Sequence, residues 1–317
     1  MRRIWSSSPF LPKFISVATV AVFAATALFT APAQASRNGV EDRLNTFAVG
    51  ITFKFGKVDQ LCSGALLTPY IVATAGHCAY GPTGEVGTDY LFTSPGTPLD
   101  AAIDPRIVQP KVVKIYTEST FSYEKLNIFD DIAFLQLDKP VTAKRYLKFA
   151  TRDELNLLTE SSTVTGYGYG HVYETGAGYS IYPRKYSLKW LPIDSSTAIA
   201  NTFPLTSATS APCKGDSGGP ILATLPSGKE VLLGMLSGAD NVVDSCPNAE
   251  SDGLFHIHLT SGYPYLALIA KIYNPAAVVV APTPTPKVTT IKCKKGSVIK
   301  KVTALKPVCP KGYKLTK

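Results

Sequence analysis

The chain has 317 residues, of which 45% are hydrophobic and 17% charged, and its 24 Gly and 24 Pro indicate a loop-rich folded protein rather than a disordered one. Its formal net charge of +9 is unevenly placed: residues 36–280 carry 19 bases and 23 acids, whereas residues 281–317 carry ten lysines and no acid. A mildly acidic body argues against a protein whose main domain grips nucleic acid.

Residues 1–35 have the pattern of a secretory signal peptide. Basic residues without an acid precede an uncharged apolar run from Phe14 to Phe29. Ala33-Gln34-Ala35 fits the small-x-small cleavage pattern, which predicts Ser36 as the first mature residue. The alternative is a membrane anchor, but the run is shorter than the ~20 residues that a bilayer span needs. We therefore expect a secreted protein, extracellular or associated with the cell surface.

From residue 44 to 274 the chain alternates short β-rich segments with clusters of Gly, Pro, Asn and Asp, which is typical of an all-β sandwich or barrel. Apolar residues at helical spacing predict a helix over Tyr263–Tyr273, which Asn274-Pro275 would end. The predicted strands are Thr46–Phe55, Ile71–Ala75, Val112–Tyr116, Ile132–Leu137, Ser162–Gly166, Val231–Leu236 and Leu254–Leu259.

A Pro/Thr-rich linker over residues 274–286 separates this body from a basic C-terminal module, residues 287–317. The module is similar to short basic segments that end secreted bacterial proteins. Its cysteines, Cys293 and Cys309, predict a disulfide-stapled hairpin, because so few residues cannot bury much core. Two interpretations stay open: a tether to anionic cell-wall polymer or lipid headgroups, and a cationic tail that is only solvated.

The chain has six cysteines, and an even number in an exported protein indicates disulfides, for which six residues allow fifteen connectivities. None lies in a Cys-x-x-Cys or Cys/His cluster with zinc spacing, so we expect no metal site. Glu85 and Asp89 share a loop, but two acids are too few to predict calcium binding.

Three short segments carry residues with catalytic chemistry. A serine hydroxyl becomes a nucleophile when a neutral imidazole takes its proton, and the imidazole needs a carboxylate that fixes its tautomer. Glycines beside the serine let the backbone turn sharply and aim N–H groups at an oxyanion. His, Asp and Ser in this order therefore predict catalysis, where each alone would be a structural residue. The segments are Thr74-Ala75-Gly76-His77-Cys78, Asp130-Asp131-Ile132-Ala133-Phe134-Leu135-Gln136-Leu137, and Gly215-Asp216-Ser217-Gly218-Gly219-Pro220 after Cys213.

From about residue 36 to 273 the chain resembles the chymotrypsin-like, trypsin-fold serine peptidases. TAGHC, DIAFLQL and GDSGGP match the three main motifs of that family, and Thr165–Gly168 and Gly234–Gly238 resemble two of its strands. The resemblance implies a secreted, bacterial-type member with two antiparallel six-stranded β-barrels, about 36–150 and 151–262, followed by the helix. It also implies a protein or peptide substrate and no cofactor.

Carried over residue by residue, the resemblance makes His77 the general base, Asp131 its orienting carboxylate and Ser217 the nucleophile. Asp130 is the alternative carboxylate, and Asp131 is preferred because it directly precedes the apolar strand. The N–H groups of Gly215 and Ser217 would form the oxyanion hole. The implied disulfides are Cys62–Cys78 and Cys213–Cys246.

In this family the floor of the primary substrate pocket lies six residues before the nucleophile, which here is Ala211. Without a carboxylate there, we expect an apolar substrate side chain and no trypsin-like preference for Arg or Lys. His256 and His258 follow the pocket strand, Gly234–Gly238, which resembles the strand that lines the family's substrate cleft. A preference for acidic substrate residues is therefore an alternative. The simpler interpretation is that both are surface histidines of a β-strand. The implied walls are small and uncharged: Ser237, Gly238, Ala239 and Gly253.

Many members of the family mature by a cut before Ile-Val-Gly-Gly, a sequence that this chain lacks. The new α-amine then pairs with the aspartate before the nucleophile, here Asp216, and shapes the oxyanion loop. Because Asn38-Gly39 falls about where the family's glycines lie, we hypothesise that signal cleavage before Ser36 itself supplies this amine. The alternative is that Asp216 has another partner, such as a lysine.

The sequence thus predicts a secreted serine endopeptidase that does not bind nucleic acid. Two alternatives remain, an esterase with the same triad and a binding protein on an inactive peptidase scaffold. The presence of all three triad residues favours catalysis. The physiological substrate and the oligomeric state do not follow from the sequence.

Overall fold

The structure is a computed structural model, and it describes residues 36–104, 106–117, 121, 130–172, 178–191, 202–243, 245–272, 289–304 and 307–316. The predicted signal peptide and the predicted linker lie outside these residues, as does Tyr273 at the end of the predicted helix. Within the described ranges, no helix is both long and apolar enough to cross a membrane.

The N-terminal half forms a six-stranded antiparallel sheet. Its strands are β2 Ala48–Phe55, β3 Val58–Thr68, β4 Ile71–Thr74, β5 Thr88–Phe92, β6 Val112–Tyr116 and β7 Ala133–Leu137. They are ordered β5-β2-β3-β4-β7-β6, and the sheet curls into a half-barrel around an apolar core that includes Ile51, Phe53 and Leu135. The strand patterns in the sequence predict β2, β4, β6 and β7 to within two residues and miss β3 and β5.

The C-terminal half forms a closed barrel, because β8 at one end of its sheet also pairs with β9. The barrel strands are β8 Thr163–Gly168, β9 Arg184–Trp190, β10 Thr202–Ser207, β11 Pro220–Thr224, β12 Glu230–Ala239 and β15 Phe255–Ser261. Every second residue of β9 is buried, so that Tyr186, Leu188 and Trp190 face the core. The short hairpin of β13 Val242–Val243 and β14 Cys246–Pro247 lies after β12.

The N-terminal strand β1, Val40–Glu41, pairs with β9 of the second barrel rather than with the first sheet. Residues that the sequence places at the start of barrel one therefore cross to the other half of the molecule. Arg184 on β9 is buried and donates to the carbonyl oxygen of Gly39 at 2.7 Å, which fixes this crossing.

These observations confirm the predicted all-β, trypsin-like double barrel. The helix predicted over Tyr263–Tyr273 is a 3-10 turn, Tyr263–Tyr265, followed by α2, Leu266–Ile272; a further short helix, α1, spans Arg152–Leu155. A third apolar cluster joins side chains of both sheets to α2. Its members include Phe47, Phe134, Tyr167, Met235, Tyr265, Ile269 and Ile272.

The C-terminal module is a three-stranded antiparallel sheet of β16 Thr289–Lys295, β17 Val298–Ala304 and β18 Lys314–Thr316, ordered β17-β16-β18. It contains the predicted hairpin, β16–β17, and adds a third strand to it. The structure has three disulfides, Cys62–Cys78, Cys213–Cys246 and Cys293–Cys309, which are the pairs expected from the sequence.

Candidate active site

His77 and Asp131 are brought together by the pairing of β4 with β7. His77 lies in a 3-10 turn, Gly76–Cys78, just after β4, and Asp131 lies just before β7. Oδ2 of Asp131 is 2.8 Å from Nδ1 of His77, and Oδ1 accepts a hydrogen bond from the His77 backbone N–H at 2.8 Å. This contact favours the tautomer with its proton on Nδ1 and leaves Nε2 as the basic nitrogen.

The alternative carboxylate, Asp130, has a different partner. Its Oδ1 accepts a hydrogen bond from the Tyr265 hydroxyl at 3.1 Å, next to the C-terminal helix. The side chain of Asp131 is only 5% exposed, and that of His77 is 25% exposed. The structure therefore brings Asp131, and not Asp130, to the imidazole.

Burial and pairing have opposite effects on the pKa values of this pair. Burial lowers the pKa of His77, but the charge of Asp131 and the hydrogen bond to it outweigh burial, and the pKa lies above its ordinary value. Burial raises the pKa of Asp131, but the charge and hydrogen bonds of His77 and a hydrogen bond from Ser237 hold it below the ordinary value. The pair thus favours an ionised carboxylate and a more basic imidazole, as a general base requires.

Ser237 on strand β12 is expected in the pocket wall, and in the structure its hydroxyl contacts Asp131. Its Oγ donates to Oδ2 of Asp131 at 2.6 Å, and the residue is 7% exposed. Asp131 therefore accepts hydrogen bonds from Ser237 and from two groups of His77, which hold the carboxylate in one orientation.

The turn around Ser217 requires its glycines. Gly215 and Gly218 have φ values of +97° and +75°, a region that L side chains rarely adopt. A Cβ on Gly218 would lie 2.1 Å from Oγ1 of Thr74 and 2.6 Å from the carbonyl oxygen of Ser63. This close approach seats the turn against β3 and β4.

As a result, Ser217 lies beside the histidine turn. Its carbonyl oxygen is 3.7 Å from Sγ of Cys78, the residue after His77. The backbone of Ser217 is therefore next to the turn that carries His77.

Ser63, which no sequence pattern singles out, holds the nucleophile turn from the first sheet. Its backbone N–H donates to the carbonyl oxygen of Ser217 at 2.8 Å, and its Oγ donates to the carbonyl oxygen of Gly215 at 2.8 Å. The same Oγ accepts from the N–H of Tyr169 at 2.8 Å, and Ser63 is fully buried. These bonds hold the peptide group before Asp216 and the peptide group after Ser217.

The N–H groups of Gly215 and Ser217 have no hydrogen-bond acceptor within the part of the chain that the structure describes. They are the donors that the sequence analysis assigns to an oxyanion. The bonds from Ser63 hold the carbonyl groups of the same two residues, so the turn that carries the donors is fixed before any substrate arrives, as preorganised stabilisation requires.

Asp216 lies in a buried pocket behind the nucleophile. Its Oδ1 accepts from the N–H of Gly170 at 2.7 Å, and its Oδ2 accepts from the N–H of Cys213 at 2.8 Å and from Oγ of Ser36 at 3.1 Å. Burial raises the pKa of Asp216 to about 6, although these bonds and the positive charge of Arg184 lower it. The structure thus puts the hydroxyl of Ser36 next to Asp216.

The expected pocket residues differ in burial and in the space beside them. Ala211 is fully buried, and its backbone N–H and carbonyl groups pair with Arg37 at 3.0 and 2.8 Å. A Cβ on Gly238 or Gly253 would meet no atom within 4 Å, so space is open beside both glycines. Ala239 is partly buried and packs against the core of the second barrel.

Of the two histidines after the pocket strand, the structure describes the side chain of His258. Nε2 of His258 lies 3.0 Å from Oδ1 of Asp240, in an ion pair at the surface if the imidazole is protonated. The side chain of His256 lies outside the described residues. The contact of His258 matches the simpler interpretation of a surface histidine on a strand.

Among the described residues, one group of side chains of the types that can bind a metal ion lies close together: Cys62, His77 and Cys78. The two cysteines form a disulfide with each other, so their sulfur atoms are not thiolate ligands. Glu85 accepts a hydrogen bond from a backbone N–H of its own loop at 3.0 Å, and Asp89 lies 3.9 Å from a lysine ammonium. These two acids therefore have separate partners.

The chain is similar to known proteins of one family. Residues 37–255 match the family model described as Trypsin. The chain is 26% identical to the modular serine protease of Drosophila melanogaster over 229 residues, which cover 59% of this chain and 32% of that protein. It is 27% identical to coagulation factor IX of Oryctolagus cuniculus over 203 residues, covering 57% and 67% of the two chains.

A third relative is the serine protease grass of Drosophila melanogaster, 26% identical over 194 residues that cover 54% of this chain and 49% of that protein. The chain thus spans about a third of one Drosophila relative and about half of the other. All three relatives are animal proteins, so a bacterial type stays a prediction. Because the family model covers more than half of the chain, the protein belongs to the trypsin family.

Proposed function

We propose that the protein is a secreted serine endopeptidase in which His77, Asp131 and Ser217 form the catalytic triad. The observation that carries the proposal is the 2.8 Å contact between Asp131 and Nδ1 of His77, beside the glycine-rich turn that bears Ser217. Family membership supports peptide bonds of proteins as the substrate.

In the proposed reaction, Nε2 of His77 takes the proton of Ser217 as Oγ attacks the carbonyl carbon of the scissile bond. The negative charge that develops on the carbonyl oxygen would be bound by the N–H groups of Gly215 and Ser217. His77 then gives its proton to the leaving amine, and the acyl group remains on Ser217. Water, deprotonated by His77, hydrolyses this ester and restores the free enzyme. Asp131 stabilises the imidazolium throughout and stays ionised.

We propose that the substrate side chain at the cleaved bond is apolar. Ala211 at the expected floor offers no carboxylate, and the open space beside Gly238 and Gly253 leaves room for a side chain. Cleavage of a peptide library should therefore show a preference for apolar residues at this position. A sharp preference for Arg, Lys or Glu would contradict the proposal.

Signal cleavage before Ser36 is proposed to supply the activating N-terminus. The Ser36 nitrogen donates to the carbonyl oxygen of His171 at 3.0 Å, and the Ser36 hydroxyl lies on Asp216. Cleavage would turn this nitrogen into an ammonium group close to the buried Asp216 carboxylate. Sequencing the N-terminus of the secreted, active enzyme tests this step, and a second cut needed for activity would overturn it.

Covalent labelling tests the nucleophile. A fluorophosphonate probe should label the secreted protein, and Ser217→Ala should abolish the label. Ser227→Ala is the matched control, because Ser227 lies in an exposed turn and accepts only from a nearby backbone N–H at 3.4 Å. A wild-type protein that stays unlabelled would indicate the alternative, an inactive scaffold. Matched ester and amide substrates of one peptide sequence would then separate an esterase from a peptidase.

A further inference from the structure

The C-terminal sheet has two unlike faces. Antiparallel partners lie on the same side of a sheet, and successive residues alternate. The pairs Lys292 with Lys301 and Lys294 with Lys314 therefore share one face, and Ile299, opposite Lys294, lies among them. We call these five residues the lysine face.

The other face is partly covered by the module's own loop. It carries Cys293, which is fully buried and bonded to Cys309. Its lysines also meet that loop: Nζ of Lys300 lies 5.3 Å from the centre of the Tyr313 ring, and Nζ of Lys295 lies near Gly312. All four lysines and Ile299 of the lysine face are exposed. The other face also exposes Val298 and Leu315, but its strands carry only two lysines, both near the loop. The lysine face is therefore the more highly charged of the two.

The charges on the lysine face are not balanced within the module. Residues 281–317 contain no acid, and lysines placed directly opposite each other on neighbouring strands repel. Cβ atoms of such pairs lie about 5 Å apart. The four ammonium groups therefore occupy a patch about as wide as one or two lipid headgroups. An anionic surface would relieve this repulsion.

Ile299 indicates which kind of anionic surface fits. Its side chain is 58% exposed in the middle of the lysines, where a dissolved polyanion would leave it in water. Sheets that bind single-stranded nucleic acid present aromatic side chains for stacking, and the lysine face has none. A lipid surface offers both phosphate for the ammonium groups and acyl chains for Ile299.

We propose that the lysine face docks flat on a phosphate-bearing anionic lipid surface, with Ile299 inserted below the phosphates. This property is independent of peptide hydrolysis. It would keep the secreted enzyme at a membrane surface through a part of the chain that contributes nothing to the triad.

Vesicle binding of the full-length secreted protein tests this proposal. The protein should bind phosphatidylcholine vesicles that contain phosphatidylglycerol and should not bind pure phosphatidylcholine vesicles. Each lysine near such a surface is worth about fivefold in partitioning, so K294Q/K301Q should lower binding about 25-fold. The matched control, K295Q/K300Q, removes the same charge from the opposite face and should lower binding by less than about fivefold, because screening weakens charges a Debye length away.

A second variant separates lipid from polymer. Ile299→Asn should weaken vesicle binding severalfold and leave retention on immobilised polyphosphate unchanged. Hydrolysis of a small peptide substrate should be unaltered in all these variants, which verifies that the catalytic body is folded. Equal losses for the two lysine pairs would overturn the face-specific proposal. Unchanged vesicle binding by Ile299→Asn would overturn the lipid assignment in favour of a polymer.

Discussion

At the residue scale, the site is built from hydrogen bonds between groups that lie far apart in the chain. The histidine and aspartate motifs could be recognised because each is a short, contiguous pattern. Ser63 could not, because its Oγ bonds to Gly215, which lies 152 positions further along the chain. A contact at that distance leaves no local pattern in the sequence.

Asp131→Asn tests the proposed role of the carboxylate. Activity needs neutral His77, and Asp131 raises its pKa, so kcat/KM of the wild-type enzyme should rise with pH through a midpoint above about 6.5. The substitution should lower kcat about ten-thousandfold, because Asn favours the wrong tautomer, and should move the midpoint down. Asp130→Asn is the matched control and should change kcat by no more than a few fold. A larger loss in the Asp130 variant would reverse the assignment.

Ser63→Ala tests how the oxyanion donors are held. The substitution leaves the Gly215 carbonyl and the Tyr169 N–H without their partner and lets the peptide before Asp216 rotate. We expect kcat to fall about tenfold, or about 1.4 kcal/mol, with KM nearly unchanged. Thr93→Val removes a hydroxyl of similar burial that accepts from the Gly50 N–H at 2.7 Å, so it should cost stability without this loss in kcat. Equal kcat values for the two variants would show that Ser63 only stabilises the fold.

At the element scale, strands with a clear apolar pattern could be predicted and others could not. The continuous apolar run of β4 was found, whereas β3 begins with exposed polar residues and escapes the pattern. Buried and exposed residues alternate strictly along β9, Arg184–Trp190, but the strands predicted from the sequence do not include it. The predicted elements also omit α1, although its capping box of Thr151 and Glu154 is a recognised signal for the start of a helix.

The disulfide beside the histidine turn makes a prediction at this scale. Cys62→Ser/Cys78→Ser should lower the free energy of unfolding by about 3 kcal/mol, as the loop-entropy model gives for a loop of this size, and should reduce kcat because His77 precedes Cys78. Cys293→Ser/Cys309→Ser opens a loop of the same separation, 16 residues, in the C-terminal module. That control should leave kcat unchanged. Similar kcat losses in both double variants would contradict a local effect on the histidine turn.

At the scale of the whole molecule, Ser36 and the nucleophile loop meet in one buried pocket. Ser36 is fully buried there, and β1 on the second barrel fixes its approach. If cleavage before Ser36 supplies an ammonium group, as proposed, the charge of Asp216 depends on whether the preceding residues are present. The proposal would thus link export of the protein to the state of its proposed active site.

A pH titration of stability tests the link. Where Ala33-Gln34-Ala35 still precedes Ser36, the raised pKa of Asp216, about 6, means that the folded state binds more protons than the unfolded state between about pH 4 and 6. The free energy of unfolding should therefore fall as pH rises through this window, by roughly 3 kcal/mol at most. A protein that begins at Ser36 places an ammonium group near Asp216, which lowers this pKa, so the loss should be smaller.

Urea denaturation of the two forms across this pH range measures the difference. Asp216→Asn in both forms is the control and should make their pH profiles parallel. Parallel profiles with Asp216 present would contradict the proposed pairing of the Ser36 amine.

The sequence by itself determined the family motifs, the order of the triad residues, most core strands and the separation of charge between body and tail. These features are local, because a motif, a period or a composition is complete within a few residues. Only the tertiary structure decided that Ser63 and Ser237 hold the site and that four lysines share one face of the C-terminal sheet. Such facts depend on strand pairing and register, where a shift by one residue moves every side chain to the other face.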